Sequence, residues 1–183
     1  MKLSNITQLL ILFAITALVT SCSSNLTPFT QKLYEKNDWS EAELKKIQFY
    51  LSEDVVLRRE VTEGGSKIEG GAIKVVNGSK VEEIVIKKGT PGVLTFMPKE
   101  NRFAVSFEEG NDERFLMFGP NPKYGDRYAL LASGWKKNSG SVTYDGIKFY
   151  TTNDSAYAAL LVNLKKIKKV QVKSRTAGGR KID

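Results

Sequence analysis

The side chains that could do chemistry fall into four groups. Three carboxylate pairs, Glu82-Glu83, Glu108-Glu109 and Asp112-Glu113, could supply an acid and a base, as in glycoside cleavage. A Gly- and Pro-rich loop from Gly119 to Tyr128 gathers Lys123, Tyr124, Asp126 and Arg127, with Pro120 and Pro122 limiting its flexibility. Rigid loops with mixed polar and aromatic groups are common binding elements, although Pro and Gly also serve simply to turn a corner. The last two dozen residues carry Lys165, Lys166, Lys168, Lys169, Lys173, Arg175, Arg180 and Lys181 against one acid, Asp183. The fourth group is a single residue, Cys22, the only cysteine in the chain.

Each pattern has a plainer counterpart. The carboxylate pairs flank expected turns, where charged residues are common. The lysine segment could meet the phosphates of lipid, lipopolysaccharide or nucleic acid. It could equally be a solvated strand face on which lysines discourage edge pairing. It has no aromatic residue after Tyr157, which argues against nucleic acid, where bases are usually stacked on exposed rings. Gly64-Gly65 and Gly70-Gly71 bracket a short hairpin, and they lack the following helix that a phosphate-cradling loop needs.

Composition narrows the chemistry further. Histidine is absent, which removes the commonest general base, the commonest metal ligand and the Ser-His and Cys-His arrangements. One cysteine permits neither a disulfide within the chain nor a cysteine-based zinc site. A carboxylate pair or a Ser-Lys dyad stays open. No residue is assigned a catalytic or metal-ligating role, and no cofactor is implied. Lys and Arg number 28 against 20 Asp and Glu, a formal net charge of +8, and nearly the whole excess lies after Leu160.

The N-terminus supplies an address. Lys2 precedes an apolar run from about Leu9 to Val19, too short to cross a bilayer, which takes roughly 20 apolar residues. A charged start, a short apolar centre and small residues before a cut site are the parts of a secretory signal peptide. Val19-Thr20-Ser21-Cys22 resembles the lipobox of bacterial lipoproteins. That resemblance implies cleavage before Cys22, lipidation of its sulfur and acylation of the new amino group. Three acyl chains would tether the protein permanently, since two or more hold firmly. Ser23, standing where Asp would favour the inner membrane in enteric bacteria, favours the outer membrane. The resemblance therefore implies a lipid-anchored protein of the bacterial cell envelope. Its membrane contact would be acylated Cys22, with an envelope protein or anionic polymer as further partner.

The elements that would position these groups follow from local pattern. Residues 1–21 read as the signal peptide, 22–30 as a tether, 31–175 as one β-rich domain with helices over 31–52, and 176–183 as a basic tail. Phe29, Leu33 and Tyr34 share a helical face. Ser40 and Glu43 form a capping box, with Trp39 and Leu44 placed as a hydrophobic staple and Leu44, Ile47 and Leu51 as a stripe. From Asp54 the apolar period becomes two, and turn signals recur at Asn77-Gly78, Thr90-Pro91-Gly92, Pro98 to Asn101, Gly110 to Asp112, Gly119 to Gly125, Asn138 to Gly140 and Asp145-Gly146. Residues 158–175 read as a long strand bulged at Lys165-Lys166, with a helix as the alternative. The fold class is mainly β: an antiparallel barrel or strongly curved sheet behind a short N-terminal helical region. Three functions stay open: a non-enzymatic binding or scaffold lipoprotein, a small envelope hydrolase using carboxylates, and a binder of anionic surfaces through its lysine segment.

Overall fold

A computed structural model describes residues 25–61, 72–76, 79–110, 113–136, 139–152 and 154–167. The period-two pattern resolves into two antiparallel sheets. One runs in the order β1 (Thr27–Pro28), β13 (Leu160–Val162), β2 (Phe49–Leu51), β6 (Pro91–Lys99), β7 (Arg102–Ser106), β8 (Phe115–Asn121) and β9 (Arg127–Leu130). The other runs β10 (Ser133–Lys136), β11 (Ser139–Tyr144), β12 (Ile147–Thr152), β3 (Val55–Glu60), β5 (Ser79–Ile86) and β4 (Ala72–Val76). The chain crosses between sheets after β2, β5, β9 and β12, so both contribute to one core.

That core has an aromatic centre. Phe29, just after β1, sits with its ring centroid 5.4 Å from Phe49, 5.5 Å from Phe103 and 5.0 Å from Tyr128. All four side chains are fully buried, and each large apolar group so buried contributes about 1.5–3 kcal/mol. Leu57, Phe149 and Tyr144 bring the second sheet into the same cluster. Of the stretch read as a tether, Thr27 and Pro28 are already paired with Val162 and Leu161, and Phe29 anchors the interior.

Of the two expected forms, barrel or strongly curved sheet, the barrel is not found. Among the described residues neither sheet closes; the ends of the seven-stranded sheet meet only through single bridges, Thr30 with Arg127 and Ala129 with Ala159. The architecture is a curved two-sheet sandwich. β6 to β9 form a meander, while β13 inserts between β1 and β2.

The helical region is also shorter than 31–52. Helix α1 covers Gln31–Asn37, capped by Thr30, whose hydroxyl accepts from the Leu33 N–H at 3.2 Å. Helix α2 is a single turn, Glu41–Leu44, and here the Ser40–Glu43 capping box is formed in both directions. Beyond it, Phe49–Leu51 is strand. Ile47, Phe49 and Leu51 fit period two as well as Leu44, Ile47 and Leu51 fit a helix. Pairing with β13 and β6 on both sides satisfies the backbone while burying Phe49 and Leu51, and that tertiary gain wins.

Several turns move by one or two residues. Asp145 and Gly146, both with positive φ (52° and 69°), make the expected two-residue hairpin between Tyr144 and Ile147. The Thr90-Pro91-Gly92 turn lies earlier, at Lys88-Gly89 with Gly89 at φ 79°, and Pro91 opens β6. Asn77-Gly78 falls outside the described residues, but the flanking Val76 and Ser79 are paired as a two-residue connection requires. The long strand over 158–175 is corrected to β13 followed by a turn of helix, α3 (Leu164–Ile167). Asn163 ends the strand: its side-chain oxygen accepts from the Lys165 and Lys166 N–H groups at 3.1 and 3.3 Å, capping the turn. Residues after Ile167 lie outside the description.

Candidate functional site

The loop singled out in the sequence lies against α1. It is shorter than Gly119 to Tyr128, because Gly119, Pro120 and Asn121 belong to β8 and Arg127 and Tyr128 to β9. What remains is a 3-10 turn, Pro122–Tyr124, held by the Asn121 side chain accepting from the Lys123 N–H at 3.0 Å. Gly125 and Asp126 both take positive φ, at 63° and 54°, and turn the chain into β9. The Gln31 N–H then donates to the Asp126 carbonyl at 3.0 Å, and Arg127 bridges Thr30. These bonds fix the start of α1 against the loop.

Between them opens a cleft of about 700 Å³, lined by Thr27, Pro28, Thr30, Lys32, Leu33, Lys36, Lys123, Tyr124, Gly125 and Arg127. Lys32 and Lys36 are four residues apart and therefore share one helix face. With Lys123 and Arg127 they place four cations around one opening, and no residue lining it is acidic. None of the four takes part in a salt bridge among the described residues. Arg127 is held in place by an aromatic ring, its guanidinium carbon 4.5 Å from the centroid of Tyr124. Tyr124 in turn meets Tyr157 edge to face at 5.6 Å.

Next to the cleft, at the start of α1, three polar side chains satisfy one another. The Tyr128 hydroxyl donates to Gln31 Oε1 at 2.8 Å and lies 3.2 Å from Asn101 Oδ1, while Gln31 Nε2 donates to Asn101 Oδ1 at 3.1 Å. Burial, reinforced by neighbouring Tyr34 and Glu35, pushes the Tyr128 hydroxyl well above the ordinary tyrosine range, so it stays a neutral donor.

The sequence grouping of Lys123, Tyr124 and Arg127 is thus brought together, and Lys32 and Lys36 join it from the helix. Their four-residue spacing was readable in the sequence, but nothing local says that this helix faces this loop. Lys165 and Lys166 do not line the cleft; they sit on α3, where Lys166 borders a smaller depression with Lys46 and Gln48. Lys168 and Lys169 lie outside the described residues, as does Cys22.

The carboxylates have other partners. Glu82 and Glu83 lie inside β5 and do not flank a turn. They stand opposite Arg59 and Arg58 on β3, with N–O distances of 2.5 and 2.7 Å. Successive strand residues point to opposite faces, so this pair cannot address one substrate from the same side. Glu108 accepts from the Tyr144 hydroxyl and from Arg114, which also reaches Asp145 at 3.1 Å, tying β11 to the ends of β7 and β8. Asp112 lies outside the described residues. Among the described residues no cluster of acidic or sulfur ligands could hold a metal ion, and no helix is long and apolar enough to cross a membrane.

Fold and site together define a class, an antiparallel β-sandwich with a cationic, aromatic-edged cleft. No protein-family model matches the chain, and comparisons with curated proteins and with solved structures find no match.

Proposed function

We propose that the protein is a non-enzymatic binding module of the bacterial cell envelope, anchored by acylated Cys22 and favouring the outer membrane, whose cationic cleft takes up an anionic group. One observation carries this reading: Lys32, Lys36, Lys123 and Arg127 converge on a single opening with no acid in its lining. Like charges gathered at one opening raise each other's energy, and an anionic ligand relieves that repulsion. The cleft also borders β1, and Thr27 stands five residues after Cys22. At about 3.6 Å per extended residue, the anchor would hold the cleft edge within roughly 18 Å of the acylated sulfur.

The lysine segment supports a second contact with an anionic surface. Val162 pairs with Thr27, so α3 with Lys165 and Lys166 begins at the sheet end where the N-terminal segment enters the fold. The engagement of Glu82, Glu83 and Glu108 with arginine side chains favours binding over carboxylate hydrolysis.

Two measurements test the proposal. Intact-mass analysis of the membrane-extracted protein should begin at Cys22 with added acyl mass, and a Cys22→Ala variant should lose it; an unmodified Cys22 would overturn the anchor. Titration with inorganic polyphosphate should show binding that weakens with salt and is lost in a Lys32→Glu/Lys123→Glu double variant. Binding unaltered by that double substitution would overturn the cleft assignment.

A further inference from the structure

A second groove, of about 350 Å³, lies on the other side of the Lys123–Tyr124 ridge and shares those two residues with the cationic cleft. We infer that this groove seats sugar rings, so that the ligand is an acidic glycan whose charged substituents enter the cleft. The inference rests on the anion-binding reading of the cleft and adds the class of ligand.

The groove is built from Asn121, Lys123, Tyr124, Leu131, Trp135 and Tyr157 among its lining. Trp135 and Tyr157 are 41% and 57% exposed and line the same groove. Trp135 also packs against the neighbouring strand. A Cβ added to Gly140 would lie 2.9 Å from its indole atoms and 2.7 Å from the Ala132 methyl, so the ring rests directly on the glycine backbone. One surface of the indole is supported by β11 while much of the side chain stays in solvent. Tyr157 is braced by Tyr124, and Tyr124 by Arg127.

A pyranose ring has apolar C–H faces and a hydroxyl rim. Fixed aromatic surfaces match the faces, and amide and ammonium groups such as Asn121 and Lys123 match the rim. The adjoining cations then select a glycan that carries carboxylate or phosphate. A single-stranded nucleic acid also combines rings with charge, but it needs rings aligned for successive bases. Tyr124 and Tyr157 stand at 73° to one another and offer no such stack.

The test uses the full-length protein in detergent micelles with four probes: polygalacturonate, a phosphorylated mannan, polyphosphate and an oligodeoxythymidylate. The two acidic glycans should bind more tightly than polyphosphate of equal charge, and the tighter of them identifies the substituent. Trp135→Ala should weaken glycan binding about tenfold, the effect of losing one large contact face, and leave polyphosphate unchanged, whereas Tyr157→Ala, which also removes the ring that braces Tyr124, should weaken the glycans more than polyphosphate. Gly140→Ala, which displaces the indole without removing it, should weaken the glycans alone. Lys32→Glu should weaken every probe. Glycan binding that survives both aromatic variants while Lys32→Glu abolishes it would sink the sugar subsite and spare the cleft. Oligodeoxythymidylate binding more tightly than either glycan would also overturn the subsite, and no binding of any probe would overturn both.

Discussion

The guanidinium of Arg127 lies over the ring of Tyr124, its central carbon 4.5 Å from the ring centroid, and this one contact joins the two grooves. The ring holds the cation at the edge of the cleft, and the same ring forms part of the aromatic groove. A cation held this way has less conformational entropy to lose when an anion arrives.

Arg127 and Tyr124 can be separated by substitution. Tyr124→Phe keeps the ring and should retain polyphosphate affinity, whereas Tyr124→Leu should lower it about threefold, the scale of a partly exposed cation–π contact. Arg127→Lys keeps the charge without the planar group, and should fall between wild type and Arg127→Ala. Isothermal titration of these variants decides the matter; equal affinity for Phe and Leu at position 124 would remove the ring from the site.

Two neighbouring ion pairs should differ in worth. Arg59 is 16% exposed and its partner Glu82 is fully buried, while Arg58 is 47% exposed beside Glu83. Glu82→Ala removes one partner from a desolvated pair and should cost about 3–5 kcal/mol. Glu83→Ala, whose arginine stays hydrated, should cost about 1 kcal/mol. Urea denaturation measures both, and equal losses would contradict the difference in burial. Arg59 also stands 5.7 Å from the Phe149 ring centroid, so the larger cost extends to the β3–β12 boundary.

Alkaline stability follows from the buried phenols. Burial raises the Tyr128 and Tyr144 hydroxyls, with the Glu108 hydrogen bond adding to Tyr144 and Tyr34 to Tyr128. Tyr34 moves in the same direction through burial and nearby Glu100 and Asp38. A pKa raised on folding means that the unfolded chain releases protons which the folded one keeps. The stabilisation is therefore complete below about pH 10 and declines as pH rises above it. Thermal melts across the alkaline range should show this fall, and Tyr128→Phe should make it shallower. A slope unchanged by Tyr128→Phe would refute the assignment.

At the acid end the sign reverses. Asp54 is held below the usual carboxylate range by its hydrogen bond to Lys87 and by the Lys88 N–H, and Glu43 by the Ser40 hydroxyl and N–H. Their stabilising effect is present above the ordinary carboxylate pKa of about 4 and is lost as pH falls through the depressed values. An Asp54→Asn/Glu43→Gln variant should lose less stability between neutral and strongly acid pH than the parent does. Parallel pH profiles would count against both interactions.

One buried hydroxyl has no visible use. Thr151 is buried in β12, and its Oγ1 has no hydrogen-bond partner among the described residues. Thr151→Val preserves shape and removes an unsatisfied polar group, so it should stabilise by about 1 kcal/mol. A loss of stability in the same urea assay would mean that the hydroxyl is bonded after all.

Local chemistry was legible in the sequence wherever neighbours along the chain decide the outcome. The Ser40–Glu43 box and the Asp145-Gly146 hairpin depend only on spacing and backbone preference, and both appear in the structure. The sequence was misleading where one residue set fits two periods. Phe49 to Leu51 became a strand because two neighbours were available to pair with it. At Lys165-Lys166, the Asn163 cap turned an expected strand into helix. The loop of Lys123, Tyr124 and Arg127 was recognisable as a candidate from its residue types alone.

Only the tertiary structure decided what that loop faces. Arg127 meets Thr30 across nearly a hundred residues of sequence, and that bridge brings Lys32 and Lys36 to Lys123. The carboxylates likewise took their roles from register: Glu82 stands opposite Arg59, and shifting that pairing by one residue would turn its side chain to the other face. Sequence by itself determined which segments alternate, turn and cap, because those choices are settled within a few residues. The cleft and the ion pairs depend on which strands became neighbours, a choice made by burial across the whole chain.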